Sequence, residues 1–228
     1  MKELLQVYSL ARPWIRLRFA VLKTPTLAWS FAPVPKGDVR GAATQVFGAE
    51  LASQCIFQTY HSTNSTINQA DEACQSRDNS LVFEALLPSP TADPNKVAKG
   101  GYFSVDSRPV ASSKGTAKKL YAAFKKILGD HFSQNEKSPP NNPFLRLNIL
   151  CTPGSYDVNV EPAKDDILFR DEDFVLIHFE SFLTSVYLPS GKISIDEISE
   201  IDPDPSAHDQ CEQSVSCPIL RVSFLVLN

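Results

Sequence analysis

The stretch Phe144-Leu145-Arg146-Leu147-Asn148-Ile149-Leu150, followed after a short turn by Tyr156-Asp157-Val158-Asn159-Val160-Glu161-Pro162-Ala163-Lys164, decides the fold class of this 228-residue chain. In FLRLNIL polar and apolar residues alternate, which is the period-two pattern of a β-strand with distinct faces. Thr152 to Ser155, containing Pro153 and Gly154, reads as a turn. Tyr156 to Val160 returns as a second strand, with Asp157 and Asn159 interleaved between Val158 and Val160. Pro162 fixes its own φ and has no N–H for a ladder, so it helps the strand end in a defined loop.

Working outward, Asp171-Glu172-Asp173 opens a helix with its acids at the positive end of the dipole, and Val175, Phe179, Phe182, Leu183 and Val186 form its apolar stripe. Upstream, the clearest helix runs from Thr116 to Leu128, with Ala117, Leu120, Tyr121, Phe124, Ile127 and Leu128 on one stripe and Gly129 as its stop. Tyr102 to Val105 is strand-like, Asp106-Ser107 offers a turn, and Arg108-Pro109-Val110 leads out of it. Leu81 to Leu87 reads as a strand stopped by Pro88, Ile56 to Tyr60 as another, and His61 to Ser80 as a polar loop. Asp38 is a natural N-cap for a helix carrying Val39, Ala42, Ala43 and Val46 on one face and closed by Gly48. Ile15 to Val21 alternates as a strand, Leu27 to Ala32 is its partner, and Lys23-Thr24-Pro25-Thr26 is the turn between them. A weak helical pattern from Lys2 to Leu10 is closed by Pro13. The succession predicts an α+β fold in which helices cover one face of a mixed β-sheet.

Three segments follow from this reading. Residues 1–12 form a connecting helix, residues 13–188 one domain, and residues 189–228 an acidic, Pro- and Ser-containing linker with an uncertain tail. The apolar end, Ile219 to Leu227, reads either as an added strand or as a misjudged end of the gene.

The net charge of −4 does not advertise nucleic-acid binding, and the 43% hydrophobic content supports a real core. The charge is uneven, however. Lys96, Lys99, Arg108, Lys114, Lys118, Lys119, Lys125 and Lys126 fall in a stretch whose only acid is Asp106, while acids dominate from Asp157 to Asp204. A local basic face attracts phosphates even on an acidic molecule. Arg108, Lys114, Lys118, Lys119, Lys125 and Lys126 therefore read equally as a DNA-facing row and as a solvated helix face. Cys55, Cys74, Cys151, Cys211 and Cys217 form no CxxC pair, which favours reduced thiols over a disulfide framework or a zinc site. The apolar stretches fall short of a membrane span, and the N-terminus lacks the apolar core of a signal peptide, so no membrane partner is expected. His61, His131, His178 and His208 are scattered, Asp165-Asp166 looks like a solvated pair, and no nucleophile elbow, Walker or Rossmann pattern occurs. No catalytic residue and no metal ligand is assigned.

Three blocks in order resemble one known family. They are Ala42 to Gly48 (AATQVFG), Tyr102 to Val110 (YFSVDSRPV) and Asp157 to Lys164 (DVNVEPAK). Together they resemble the transducer domain of the MutL/PMS/MLH DNA mismatch repair proteins, over about Lys2 to Leu188. The family usually has Asn-Gly where this chain has Asp106-Ser107, and His or Thr where it has Glu161. The resemblance implies a transducer-type fold, like the second domain of a small-subunit ribosomal protein and the gyrase transducer. It implies that Lys164 contacts the γ-phosphate of ATP, with Asn159 and Pro162 supporting the loop. The family's ATP and Mg²⁺ sit in a preceding ATPase domain of the gyrase, Hsp90, histidine-kinase and MutL type. Its "E-L-x-x-N-S-x-D-A", "D-N-G-x-G" and "G-F-R-G-E-A-L" motifs do not occur in this sequence. Residues 1–12 then read as the helix joining that missing domain to the transducer. The resemblance also implies a MutL-homologue partner in a heterodimer, weak contact with the DNA backbone, and a place in the nucleus. The reading of a different class is a non-catalytic protein-interaction module or truncated paralogue.

Overall fold

The computed structural model describes residues 2–21, 24–34, 36, 38–62, 80–157, 166–188 and 221–226. Helix α1 (Lys2–Ala11) leads into strands β1 (Arg16–Val21) and β2 (Thr24–Phe31), and helices α2 (Val39–Phe47) and α3 (Ala49–Ser53) follow. Strands β3 (Cys55–His61) and β4 (Leu81–Pro88) come next, then a 3-10 turn (Pro94–Lys96) and strands β5 (Gly101–Val105) and β6 (Arg108–Val110). The long helix α4 (Gly115–Gln134) precedes β7 (Leu145–Cys151), the short strands β8 (Tyr156–Asp157) and β9 (Leu168–Phe169), helix α5 (Glu172–Tyr187) and β10 (Arg221–Val226).

The alternating FLRLNIL segment supplies β7, the middle strand of a five-stranded sheet ordered β3-β4-β7-β5-β6. β7 is antiparallel to β4 and parallel to β5, so the sheet is mixed and the fold is α+β. A parallel pair needs a crossover rather than a hairpin, and α4 is that crossover. On one face Phe83, Ala85, Leu145, Leu147 and Ile149 pack against Leu120, Phe124 and Phe132 of α4 and Val175, Phe179 and Leu183 of α5. This is the main core.

The opposite face is also covered, whereas the sequence pattern predicts helices on one face only. Leu86, Val97 and Phe144 meet Leu5 and Leu10 of α1, Ala42 and Ala43 of α2, and Leu17 and Phe31 of the β1–β2 hairpin. The second layer is thin because its helices present Ala and short apolar stripes, which give a weak periodic signal. A smaller sheet runs β10-β1-β2, with β10 parallel to β1, so the apolar end of the chain adds a strand.

Two caps form as their residues dictate. The Asp38 carboxylate accepts the N–H groups of Arg40 (2.9 Å) and Gly41 (3.0 Å), and Asp171 accepts that of Phe174 (2.9 Å). Three local expectations are corrected. α4 runs through Gly129 to Gln134, because the added turn buries Phe132 completely and sets His131 between the carbonyls of Pro90 and Tyr187 (2.9 Å each). That gain exceeds the cost of about 1 kcal/mol for an interior glycine. β2 begins at Thr24 rather than after Thr26, pairing Val21 with Thr24, so the hairpin is tighter than predicted. His61 belongs to β3, paired with Val82, and not to the following loop.

Candidate functional site

Asn159, Pro162 and Lys164 lie outside the described residues, as does Glu161. What the structure places is the two ends of their segment. Tyr156 pairs with Phe169 and Asp157 with Leu168, antiparallel. Strands β8 and β9, which flank that segment in the sequence, thus form one short antiparallel ribbon.

The first end is bolted to the β5–β6 turn. Asp106 and Ser107 have φ of 47° and 62°, consecutive left-handed residues of a hairpin turn in which Asn-Gly is the relaxed choice. Side-chain bonding compensates for their presence. Asp106 accepts the Cys151 N–H on Oδ1 (3.1 Å) and the Tyr156 hydroxyl on Oδ2 (2.7 Å). Ser107 donates its N–H to Asn148 Oδ1 (3.0 Å), and its carbonyl accepts Arg12 Nε (3.0 Å). Burial first, then the bond to Asp106, pushes the Tyr156 phenol up to about 12, so it remains a donor at neutral pH. Arg108 pulls the other way from close by, which places its charge at this root.

The second end rests on α4. Asp166 accepts the Ile167 N–H on Oδ1 (2.9 Å), and a Cβ on Gly115 would come within 2.3 Å of that same oxygen. Gly115 has φ of +45°, so both the backbone and the space there suit glycine. One turn along, Glu172 accepts Thr116 Oγ1 (2.8 Å) and pairs with Lys119 Nζ. The hydrogen bond from Lys119 is the main reason the Glu172 carboxyl sits below the usual range.

The basic residues divide between two flanks. Lys118 and Lys125 lie two turns apart on one flank of α4, with Lys114 a turn before them at the N-cap. Lys125 Nζ lies 5.1 Å from the centre of the Tyr121 ring. Lys119 and Lys126 lie on the neighbouring flank, where Lys119 meets Glu172 of α5. Lys118, Lys125 and Lys126 are exposed, whereas Arg108 is half-buried and belongs to the loop root. The structure thus groups Lys114, Lys118 and Lys125 and sets the others apart.

Sequence reading missed a polar row on the second face of the sheet. Arg146 and Asn148 are 3% and 1% exposed. Asn148 accepts Ser104 Oγ (2.7 Å) and donates to Glu84 Oε2 (3.0 Å). Arg146 donates to the carbonyls of Leu10 and Glu84 (3.2 Å each) and lies 3.8 Å from the Glu84 carboxylate. Burial lowers Arg146 to about 10, with Glu84 opposing the shift, so the guanidinium stays charged at pH 7. Above this row opens a cleft of about 670 Å³ lined by Trp14, Lys36, Asp38, Arg40, Phe57, Glu84 and Arg146, among others. The available signal was an arginine and an asparagine inside an otherwise apolar strand. Among the described residues no group of His, Cys, Asp and Glu converges as a metal site, and no helix is long and apolar enough to cross a membrane.

The chain is similar to a crystal structure of the N-terminal domain of a DNA repair protein, with a TM-score of 0.58 and 18% identity. That match covers 81% of this chain and 51% of the other, so the chain spans about half the length of the solved structure. At that identity the likeness concerns the fold. Comparison with curated proteins gives no match. A family model described as the DNA mismatch repair protein, C-terminal domain, matches residues 44–188, more than half of the sequence, and includes the second and third of the blocks quoted above. The chain belongs to this DNA mismatch repair family of MutL type.

Proposed function

We propose that the chain is the transducer of a MutL-type mismatch-repair ATPase, coupling the nucleotide state of a neighbouring domain to DNA contact and dimer closure. ATP and Mg²⁺ are held by that domain, and this chain contributes one cation. Lys164 meets the γ-phosphate, where an ammonium stabilises charge that spreads during transfer. Asn159 and Pro162 hold the loop. The lysines of α4 meet DNA phosphates, contacts that position the duplex without reading its sequence. The partner is a MutL homologue in a heterodimer, acting in the nucleus.

The observation that carries this reading is the rooting of residues 158–165. One end is tied through Tyr156 to the Asp106 turn, and the other rests through Asp166 on the first turn of α4. A displacement of the loop is thereby passed to the helix that bears the lysines. The test joins the chain behind a MutL-type ATPase domain and measures ATP turnover. Lys164→Ala is expected to lower turnover about tenfold, the loss of one charged contact. Turnover equal to that of the unaltered chain would refute the assignment.

A further inference from the structure

The cleft on the second face lies beside an open sheet edge, and the two together form one surface. β3 ends the five-stranded sheet, and among the described residues no strand pairs with its outer side. Ser62 donates its N–H to Leu81 O (2.9 Å), and the Ser89 N–H donates to Gln54 O (2.8 Å). Both ends of the strand thus tie even-numbered residues to β4. With a two-residue period, Ile56, Gln58 and Tyr60 bond to β4, and Phe57 and Thr59 turn their N–H and C=O groups outward. The Cys55 carbonyl, in the same outward set, accepts Arg40 Nη2 (3.0 Å), which marks where an added strand would stop. The sequence CIFQTYH has no charge and no proline, the usual guards of an edge.

Phe57 of this outward set lines the cleft, and Thr59 lies on the same face of the sheet. Thr59 lies opposite Glu84 and Phe57 opposite Leu86, and Phe57, Glu84 and Arg146 line the opening. Trp14 and Phe57 are 42% and 43% exposed there, large aromatic surfaces of the type that anchors partners. Lys36, Arg40 and Arg146 against Asp38 and Glu84 give the lining of the cleft a formal charge of +1, which favours an anion. The Asp38 carboxylate is occupied by the cap of α2, and that of Glu84 by Asn148 and Arg146. Lys36 and Arg40 stand against them on the rim.

We propose that the β3 edge and this cleft bind an extended segment of a partner protein that carries an acidic side chain. The segment pairs by its main chain with Phe57 and Thr59. It points its carboxylate toward Lys36 and Arg40 and lays a neighbouring apolar side chain on Trp14 and Phe57. This is strand addition, with affinity from backbone bonds and specificity from the side-chain pocket. A nucleic acid has no matching ladder of amide groups for the edge.

The test uses the full chain and labelled ten-residue peptides of alternating Val and Thr with a central Glu, Gln or Lys, read by fluorescence polarisation. The Glu peptide is expected to bind roughly tenfold more tightly than the Lys peptide. Thr59→Pro removes only an outward N–H, a substitution an edge tolerates, and is expected to abolish binding. Lys36→Glu, on an exposed side chain, is expected to reverse the Glu over Lys preference, and it keeps the test decisive if the proline variant does not fold. Absence of saturable binding up to about 1 mM, or equal binding of the Glu and Lys peptides, overturns the proposal. Displacement of the Glu peptide by oligothymidylate that Lys36→Glu abolishes would assign the cleft to nucleic acid and overturn it too. So would a concentration-dependent dimer that Thr59→Pro dissolves, which would assign the edge to a second copy of the chain.

Discussion

Removing the amide of Asn148 tests whether the buried polar row holds the two layers together. In Asn148→Ala the Ser104 hydroxyl, itself 2% exposed, loses its acceptor and has no route to water. Stranding a buried hydroxyl costs about 1–3 kcal/mol. The Ser107 N–H and the Glu84 carboxylate also lose a partner but reach solvent, so each adds only about 0.5–1 kcal/mol. The sum is a destabilisation of about 2–5 kcal/mol, a large share of the roughly 5–15 kcal/mol typical of a domain. Urea unfolding followed by far-UV circular dichroism reads this as a midpoint lower by about 1 M or more. Adding Ser104→Ala removes the orphaned hydroxyl, so the double variant is expected to fall short of the sum of the singles by about 1 kcal/mol. Asn148→Asp sets a second carboxylate where an amide now lies 3.0 Å from Glu84 Oε2. That pair repels when both are ionised, so the variant is expected to regain stability as the pH falls and one of them takes a proton. Loss of less than about 0.5 kcal/mol in Asn148→Ala, or strict additivity with Ser104→Ala, would refute the reasoning.

Gly115→Ala places a methyl 2.3 Å from Asp166 Oδ1 at φ +45°; a loss of about 1–2 kcal/mol is expected for the left-handed backbone alone, with faster hydrogen exchange at residues 166–169, and unchanged exchange would remove Asp166 as an anchor. Glu172 is held below its unfolded range by Lys119, so its contribution is present above about pH 4.3 and lost as pH falls through the lower folded value. Lys119 is mostly exposed, so Glu172→Gln should cost under about 1 kcal/mol at pH 7 and nothing at pH 2, which denaturant melts at the two pH values would check. Lys118→Glu with Lys125→Glu is expected to weaken binding to duplex DNA at low salt and to reduce the slope of log K against log salt by roughly 2. Identical binding by the double variant and the unaltered chain would leave this flank as solvated surface.

The local rules were legible where one residue decides the outcome. Asp38 was identifiable as a cap because a carboxylate before an apolar periodic run has few other uses, whereas Asp171, read only as one of three acids at the helix dipole, proves to be the cap; both accept first-turn N–H groups. The alternation of FLRLNIL identified β7 as a strand but misdirected the reading of its polar members. Alternation says that two faces differ, not that the polar face meets water, and here a second layer covers it. Gly129 failed as a stop because distant partners, Pro90 and Tyr187, reward another turn of helix. The cleft was not legible at all. Its walls come from residues as far apart as Trp14 and Arg146, and only the folded sheet brings them together. Asn159, Pro162 and Lys164 lie outside the described residues, and what the structure adds is the bonding on either side of them, by Asp106 to Tyr156 and by Asp166 to Ile167.

The position of β7 bears on how the molecule is made. The hairpins β3–β4 and β5–β6 are both synthesised before it, yet they never touch as neighbours in the sheet, because β7 lies between β4 and β5. A nascent chain halted before Leu145 would hold two separate ribbons and an amphipathic α4 packed on Phe103, Val105 and Val110 but lacking Leu145, Leu147 and Ile149 of β7 and the whole of α5. Chain collapse on the ribosome must therefore wait for a keystone that emerges late, and premature stops upstream of it would yield fragments fit only for chaperones and proteases.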